Sequence, residues 1–562
     1  MPWAESESSP SSNADSPLND LEAGTQTPSS LPSWDDLSNY TRSSLLWHSQ
    51  RLAPPLQEYP NNWSTSSGSW LSNLPILIVP SFLQKYVGGR PSPDHKLHKI
   101  AALDGLRGWA CLLVFNFHFL FTYTWKVAIG WGFAKENFSI FQLPIIHLLT
   151  SGHIMVAIFF VISGYVLSYK PLKTIRSRSW DQTFVVLASS TFRRGLRLYI
   201  PSIIGIAIVM AAVRMGVYNY SHVVVNEGQT ILGTNEQHPI ILPTFYMQLW
   251  DWYRTVVHLT DPWNWGLYYN YYNPHLWTIP VEFRCSIVLF LTILATSRLR
   301  SSVRIGLVAC LLWFCVRWGR WDVVLFLSGM LMAEVDLIHG IWENPAPAPT
   351  TASSVDSTPT TTKPFWNEKA PSLPIQLPPA VHRAIRVCHR NRWLGVFVTG
   401  LYIGSSPNNG FKWTPGYIWL ARLTPKTYPE PHRFPQTIGA VLIVLAINRS
   451  PAIQRLFTNP FSQYLGRISF AFYIVHGPIL HSLGYSIMPS IWAVVGRQTD
   501  FQAGLGFLLG WLVCLPISIC VADLFWRAVD IPSVRFARWL EEKLVVQAGW
   551  TNDLPTSMKG KK

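Results

Sequence analysis

Long apolar segments recur along the chain between about residues 109 and 526, and short polar stretches separate them. Several of these segments approach the roughly 20 residues that a helix needs to cross a bilayer. The pattern therefore predicts an all-α fold, a polytopic membrane bundle of about ten transmembrane helices. The expected spans are 109–125, 152–169, 196–214, 277–297, 302–317, 321–338, 393–405, 434–448, 468–488 and 503–526.

Both ends of the chain lack this pattern. Residues 1–90 are rich in Ser, Pro, Asn and Asp, which predicts a disordered cytosolic tail, and no early apolar run indicates a cleaved signal peptide. An apolar stretch within it, residues 70–87, is interrupted by Pro75 and Pro80, which favours an interfacial segment over a span. We expect a membrane domain over 99–530, a cytosolic low-complexity linker at 343–392 within it, and a cytosolic tail at 531–562.

Composition supports a membrane location. Only 13% of the 562 residues are charged, about half the share in a typical soluble protein. The net charge of +15 comes from short basic runs between apolar segments, which is typical of cytosolic loops, and we expect no nucleic-acid partner. The seven cysteines lack metal-ligand spacing, and six lie in apolar runs, so we interpret them as buried thiols.

The basic loops also predict an orientation. If ten spans alternate, the loops richest in Lys and Arg all lie on one side, which places both termini in the cytosol. The opposite-side loop 406–433 carries four basic residues and weakens the pattern slightly. Asn137 and Asn219 begin sequons on the expected lumenal side, and sequons at Asn39, Asn62 and Asn448 lie on the cytosolic side. An endomembrane or the plasma membrane would suit this multi-pass protein.

Two ionisable residues mark the first span: Arg107 directly precedes it, near the expected cytosolic rim, and His118 lies within it. Eleven residues separate them, so they share a helix face and lie about 16 Å apart along the axis. His118 would then lie about halfway through the hydrocarbon layer, where an ionisable side chain is a candidate functional group. The alternative is a histidine that only hydrogen-bonds neighbouring helices.

Four segments together resemble one family. They are Asp104-Gly105-Leu106-Arg107-Gly108 with His118 after it, Gly152 to Tyr165, Leu276 to Glu282 with its Trp-x-x-x-x-Glu pattern, and Ser469 to His476 with its Ser-x-x-x-Tyr-x-x-His pattern. In this order they resemble the acyltransferase-3 family of multi-pass membrane acyltransferases, over about residues 99–530, and the first segment looks most like fungal members. The resemblance implies a bundle of about ten helices, an acyl-CoA donor and a reactive histidine at His118. Phe283-Arg284 departs from the polar residue that often follows the glutamate.

Arginines at the expected helix entrance of the third span are candidates for donor binding. Arg194 and Arg197 share a helix face, with Arg193 beside them, and guanidinium groups suit the phosphates of coenzyme A. The alternative is an ordinary cytosolic cluster that contacts lipid headgroups.

Further candidate site residues lie on two other spans. Ser469, Tyr473 and His476 form one helical stripe that would position the thioester carbonyl, relay a proton, or only join helices. Glu282, expected near the lumenal start of its span, would orient His118, contact the acceptor, or pair with Arg284 or an interfacial cation. Ser163-Gly164 is interpreted as a helix-packing contact rather than a nucleophile.

The loop 215–276 is rich in Tyr, Trp and His, which suits either acceptor recognition or an interfacial aromatic belt. His258 and His275 in it lack metal-site spacing, so we predict no metal and no bound cofactor, with acyl-CoA as co-substrate. The sequence thus predicts a membrane O-acyltransferase of secondary metabolism that acylates a hydroxyl of a small-molecule, glycolipid or carbohydrate acceptor, with acetyl as one candidate acyl group. A proton-coupled transporter that uses the same Arg and His, and an inactive scaffold, are the alternatives.

Overall fold

Helices account for nearly all regular structure in the part of the chain that the computed structural model describes. That part is residues 79–84, 100–135, 137–228, 230–233, 238–340 and 379–545, without side chains at 379–390. An isolated bridge between Ile129 and Asn409 is the β-type pairing found there. The expected tail 1–90 (apart from 79–84) and most of the linker 343–392 lie outside the described residues.

The helices follow in chain order. They are α1 (Ala101–Phe121), α2 (Gly152–Arg176), α3 (Trp180–Arg214), α4 (Asn219–Glu227), α5 (Phe245–Leu259), α6 (Thr278–Thr296), α7 (Ser301–Arg317), α8 (Trp321–Ile338), α9 (Pro379–Gly404), α10 (Ile418–Leu423), α11 (Arg433–Arg449), α12 (Pro451–Gln454), α13 (Pro460–Ile479), α14 (Tyr485–Val495), α15 (Asp500–Phe525) and α16 (Ile531–Leu544). A short 3₁₀ turn, Pro274–Trp277, precedes α6. The C-terminal tail expected from residue 531 therefore begins as a helix.

All ten expected spans coincide with helices, and within the described residues five helical stretches are long and apolar enough to cross a membrane. These are Gly152–Arg176, Trp180–Arg214, Pro274–Thr296, Pro460–Val495 and Asp500–Leu544. The protein is therefore an integral membrane protein, whereas the number ten stays a prediction. Helices α7 and α11 have only 17 residues each, and α8 carries three carboxylates, so length and apolarity alone do not identify them as spans.

The carboxylates of α8 are paired with arginines on other helices. Glu334 accepts a hydrogen bond from Arg304 of α7 at 2.7 Å, with both side chains almost fully buried. Asp336 pairs with Arg449 at 2.7 Å. Ion pairs of this kind let charged residues lie inside a membrane bundle, because an isolated charge there is costly.

Glycines allow the central helices to approach closely. A Cβ at Gly164 of α2 would overlap the backbone of Phe326 in α8, and one at Gly108 of α1 would lie 2.5 Å from the backbone nitrogen of Gly466 in α13. The interpretation of Gly164 as a packing residue therefore agrees with the structure. Small residues at such crossings are typical of membrane helices, and these two crossings surround the candidate site.

Candidate active site

A cavity of about 150 Å³ lies among α1, α2, α3, α6 and α13. Its polar lining includes six of the nine site residues expected from the sequence: Arg107, Arg194, Arg197, Glu282, Ser469 and Tyr473. Arg193, His118 and His476 are not among its lining residues. The cavity therefore brings together six of the expected site residues, and the other three lie outside its lining.

Glu282 lines this cavity, where its negative charge is balanced by an ion pair with Arg194. Its Oε1 accepts hydrogen bonds from Arg194 Nη2 at 2.5 Å and from Ser163 Oγ at 2.9 Å. Arg284, its expected alternative partner, instead pairs with Asp322 at 3.3 Å. Glu282 is the fifth residue of α6, near the start of its helix as expected, and it lines the same cavity as Arg107.

The arginine cluster is divided by the geometry of α3. This helix begins at Trp180, well before the expected start at 196, so the cluster lies inside the helix and not at its entrance. Successive residues of a helix point about 100° apart. Arg194 and Arg197 thus face the cavity, whereas Arg193 points toward α16 and pairs with Glu541 at 3.0 Å.

Three histidines meet beside the inner wall of the cavity. His118 Nδ1 lies 2.9 Å from His275 Nε2, and the His476 ring lies 4.7 Å from that of His275, centre to centre. They come from α1, the 3₁₀ turn before α6, and α13. His275 was not expected in the site; its position directly before the Leu276-Trp277 motif is the signal that could have indicated it.

The hydrogen-bond partners of this group determine where its protons lie. Asn273 Nδ2 donates to the carbonyl of Ile474 at 2.7 Å, so Asn273 Oδ1 faces His275 Nδ1, 3.3 Å away, and accepts from it. His275 Nε2 is then the acceptor for the Nδ1–H of His118. By this assignment the neutral His118 ring carries its basic lone pair on Nε2, because a neutral imidazole has one donor and one acceptor nitrogen.

Two hydroxyl groups connect the cavity to the histidines. Tyr473 and Thr278 both line the cavity, and their hydroxyl oxygens lie 2.7 Å apart. The Tyr473 hydroxyl also donates to the backbone carbonyl of His275. Further along the stripe, His476 Nδ1 donates to the Tyr473 carbonyl at 2.7 Å, and Ser469 Oγ donates to the Gly466 carbonyl at 2.9 Å. The stripe thus runs from the cavity to the histidines.

His118, His275 and His476 offer nitrogens that lie within 4.8 Å of one another, close enough to hold a metal ion. The sequence spacing of the histidines therefore does not support the prediction that the site holds no metal. Two ligands of a tetrahedral zinc at 2.0–2.1 Å stand about 3.3 Å apart, whereas the His118–His275 separation of 2.9 Å is that of a hydrogen bond. The contact favours a hydrogen-bonded pair.

A second polar group lies next to His118. The Phe117 ring contacts the rings of both His118 and His153, at 5.1 and 5.2 Å. His153 forms a possible metal-ligand group with Glu430 and His432. Burial, and the charge of Arg433 beside it, lower the pKa of His432 to about 3, so this loop histidine is neutral at physiological pH.

Comparison with known proteins identifies the family. The profile of the acyltransferase-3 family, described as an acyltransferase domain, matches residues 100–527. The chain belongs to this family. It is an acyltransferase, and this finding gives no support to the transporter or the scaffold alternative.

Three fungal proteins are similar over most of their length. O-acetyltransferase PaAT-1 of Phomopsis amygdali is 32% identical, over 84% of this chain and 89% of its own. Acyltransferase clz18 of Cochliobolus lunatus is 24% identical, over 79% and 96%. Acyltransferase R4 of Phoma sp. is 25% identical, over 77% and 94%. No solved structure matches the chain.

Proposed function

We propose that this acyltransferase moves an acyl group from acyl-CoA to a hydroxyl of a small-molecule, glycolipid or carbohydrate acceptor, and that the acyl group is acetyl. The name of the relative PaAT-1, an O-acetyltransferase, supports the acetyl group and the oxygen acceptor. The observation that carries the proposal is the orientation of His118, whose Nδ1 is held by His275 so that Nε2 is the basic nitrogen.

The donor is proposed to enter the cavity with its phosphates at Arg107 and Arg197, since guanidinium groups bind phosphate well. Arg107 has a looser ion pair with Asp104, at 3.8 Å, whereas Arg194 and Arg193 pair more closely with Glu282 and Glu541, at 2.5 and 3.0 Å. Arg194 and Arg193 are therefore assigned a supporting role in shaping this entrance.

Distance supports this placement of the donor. The eleven residues of α1 from Arg107 to His118 rise about 16 Å. The arm of coenzyme A from its diphosphate to its sulfur has about 13 bonds, the backbone length of between four and five residues, and extends about 15 Å. A thioester whose phosphates are bound at Arg107 therefore reaches the level of His118.

In the proposed reaction, His118 Nε2 takes the proton of the acceptor hydroxyl as its oxygen bonds to the thioester carbonyl carbon. The tetrahedral intermediate then collapses, the C–S bond breaks, and the proton on His118 passes to the departing sulfur. Tyr473 fixes the backbone of His275, and His476 packs against its ring. In a covalent variant, Nε2 attacks the thioester carbonyl carbon, the C–S bond breaks and the coenzyme A thiolate leaves. The acceptor hydroxyl then attacks the acyl-histidine, the C–N bond breaks, and the hydroxyl proton passes to the nitrogen that is released.

The test compares cells that lack the gene with cells that express wild type, His118→Ala or His258→Ala. His258 is an exposed histidine in the last turn of α5 and serves as the matched control. We expect metabolites heavier by one acyl unit with wild type and His258→Ala, and none with His118→Ala at equal membrane abundance. Near-normal product from His118→Ala would refute the role of His118.

A further inference from the structure

A second cleft, of about 620 Å³, lies where α2 passes into α3 and α6 passes into α7. We call it the arginine cleft and define it by its exposed lining cations Arg176, Arg178, Arg298 and Arg300. It is separate from the catalytic cavity. Along α6, Ser297 in the arginine cleft is 15 residues, or about 22 Å, from Glu282.

The shape of the arginine cleft depends on a buried ion pair. Arg304 lies at its base, is paired with Glu334, and donates hydrogen bonds to the carbonyls of Thr296 and Leu299 at 3.3 and 3.4 Å. These contacts fix the turn between α6 and α7 that carries Arg298 and Arg300. On the other side Arg178 takes a left-handed backbone conformation, with φ of 55°, and so turns the chain from α2 into α3.

The cations of the arginine cleft, Arg176, Arg178, Arg298 and Arg300, form no ion pair with any carboxylate that the structure describes. The guanidinium of Arg298 instead lies 4.7 Å from the centre of the Trp180 ring. The acidic residue next to Trp180, Asp181, is exposed and is not part of the lining. The cleft therefore has a concentrated, uncompensated positive charge.

The position of the arginine cleft indicates which kind of anion binds there. Two of the helical stretches apolar enough to cross the membrane, Gly152–Arg176 and Pro274–Thr296, end here. A third, Trp180–Arg214, begins here with the mixed polar and apolar residues that precede its apolar part. The ends of spans lie at the membrane surface, where Trp is enriched and where basic pockets between helices bind phosphorylated lipid headgroups. We propose that the arginine cleft binds the phosphate headgroup of an anionic phospholipid and so anchors this end of the bundle.

Native mass spectrometry measures the lipid that the purified full-length protein retains. The protein is held in detergent micelles that contain phosphatidylcholine and added phosphatidylinositol 4-phosphate. The double variant Arg298→Gln/Arg300→Gln removes two cleft charges. The matched control, Arg422→Gln/Lys426→Gln, removes two exposed charges from the end of α10 and the turn that follows it. All four substituted side chains are exposed, so we expect both double variants to fold as wild type does.

We expect wild type and the control to bind the inositol lipid equally and the cleft variant to bind it about 30-fold more weakly. Equal retention by all three proteins would overturn the proposal. A second arm adds adenosine 3′,5′-bisphosphate: if it displaces the lipid from wild type at equal concentration, the site serves a soluble nucleotide and the lipid assignment is wrong. Acyl transfer in phosphatidylcholine alone should be the same in all three proteins, because the cleft is outside the catalytic cavity.

Discussion

His275 determines which nitrogen of His118 is basic, and this gives it a positioning role. Without its ring, the Nδ1–H of His118 loses its acceptor, and the imidazole is free to rotate or change tautomer. We expect His275→Ala to lower kcat about 10–100-fold, the usual cost of removing a residue that orients a reactive histidine. KM for the acyl-CoA should change little, because His275 does not line the donor cavity.

Two further variants separate positioning from a general structural effect. Asn273→Ala removes the partner of His275 Nδ1 and should lower kcat in the same direction. His258→Ala should leave both constants unchanged. An unchanged kcat in His275→Ala, or an equal loss in His258→Ala, would show that the pair does not position the base.

The hydrogen bond between His118 and His275 also predicts the response to chelators. A ring nitrogen engaged in that bond is unavailable to a metal ion, so we expect purified enzyme treated with a zinc chelator to keep full transferase activity. Metal analysis of the same sample is the accompanying measurement. Activity that is lost on chelation and restored by zinc would instead assign His118, His275 and His476 as metal ligands.

At the residue scale, sequence reasoning identified only part of the histidine group. His118 was predicted because an imidazole within an apolar span is unusual. His275 was missed because it follows a stretch rich in Tyr, Asn and Trp, where a histidine is unremarkable, and its contact with His118 joins positions 157 residues apart. Such a contact exists only after the helices pack, so no local pattern contains it.

At the scale of the helices, the crossing of α2 and α8 requires glycine. A Cβ at Gly164 would overlap the Phe326 backbone, whereas one at Gly306 of α7 meets nothing within 4 Å. We expect Gly164→Ala to destabilise the protein by about 1–3 kcal/mol, as overpacking usually does. The matched variant Gly306→Ala should be neutral or stabilising, because Ala favours helix more than Gly does.

The measurement is thermal unfolding of both variants in one detergent. A melting temperature of Gly164→Ala equal to that of wild type would mean that the two helices can separate at no cost, and the packing interpretation would fail.

Helix positions were predicted better than helix lengths. All ten apolar segments coincide with helices, because burial in lipid or in the bundle requires a continuous apolar run. The early start of α3 at Trp180 was missed, because residues 180–195 mix polar and apolar side chains and extend the helix beyond its apolar part. The same error placed Arg194 and Arg197 at a helix entrance, whereas they lie inside α3.

For the molecule as a whole, a buried histidine outside the spans links stability to pH. Burial and the neighbouring His481 and His222 lower the pKa of His238 to about 3, and Ser221 and Tyr485 also contact it. The unfolded chain therefore binds one more proton than the native state between about pH 3 and 6.5. Native stability is complete above that range and is lost as the pH falls through it.

We expect the melting temperature of wild type to fall more between about pH 7 and pH 5 than that of His238→Gln, by the equivalent of at most about 2 kcal/mol. His258→Gln, which changes an exposed ring, should follow wild type. If His238→Gln has the same pH dependence as wild type, His238 is not the group that links protonation to unfolding.

Glycosylation tests the orientation of the whole bundle. Asn137 follows the end of α1 that is farther from Arg107, so it lies on the opposite side from the mouth of the donor cavity if α1 crosses the bilayer. A cytosolic donor entrance then requires a lumenal Asn137.

Removal of N-glycans should shift the mobility of wild type, and Asn137→Gln or Asn219→Gln should each remove one glycan, whereas Asn62→Gln should remove none. Asn448 is no test, because its buried amide lies against Asp336. A glycan at Asn62 together with unmodified Asn137 and Asn219 would reverse the orientation, and the arginine-lined entrance would then face a compartment other than the cytosol that is proposed to supply acyl-CoA.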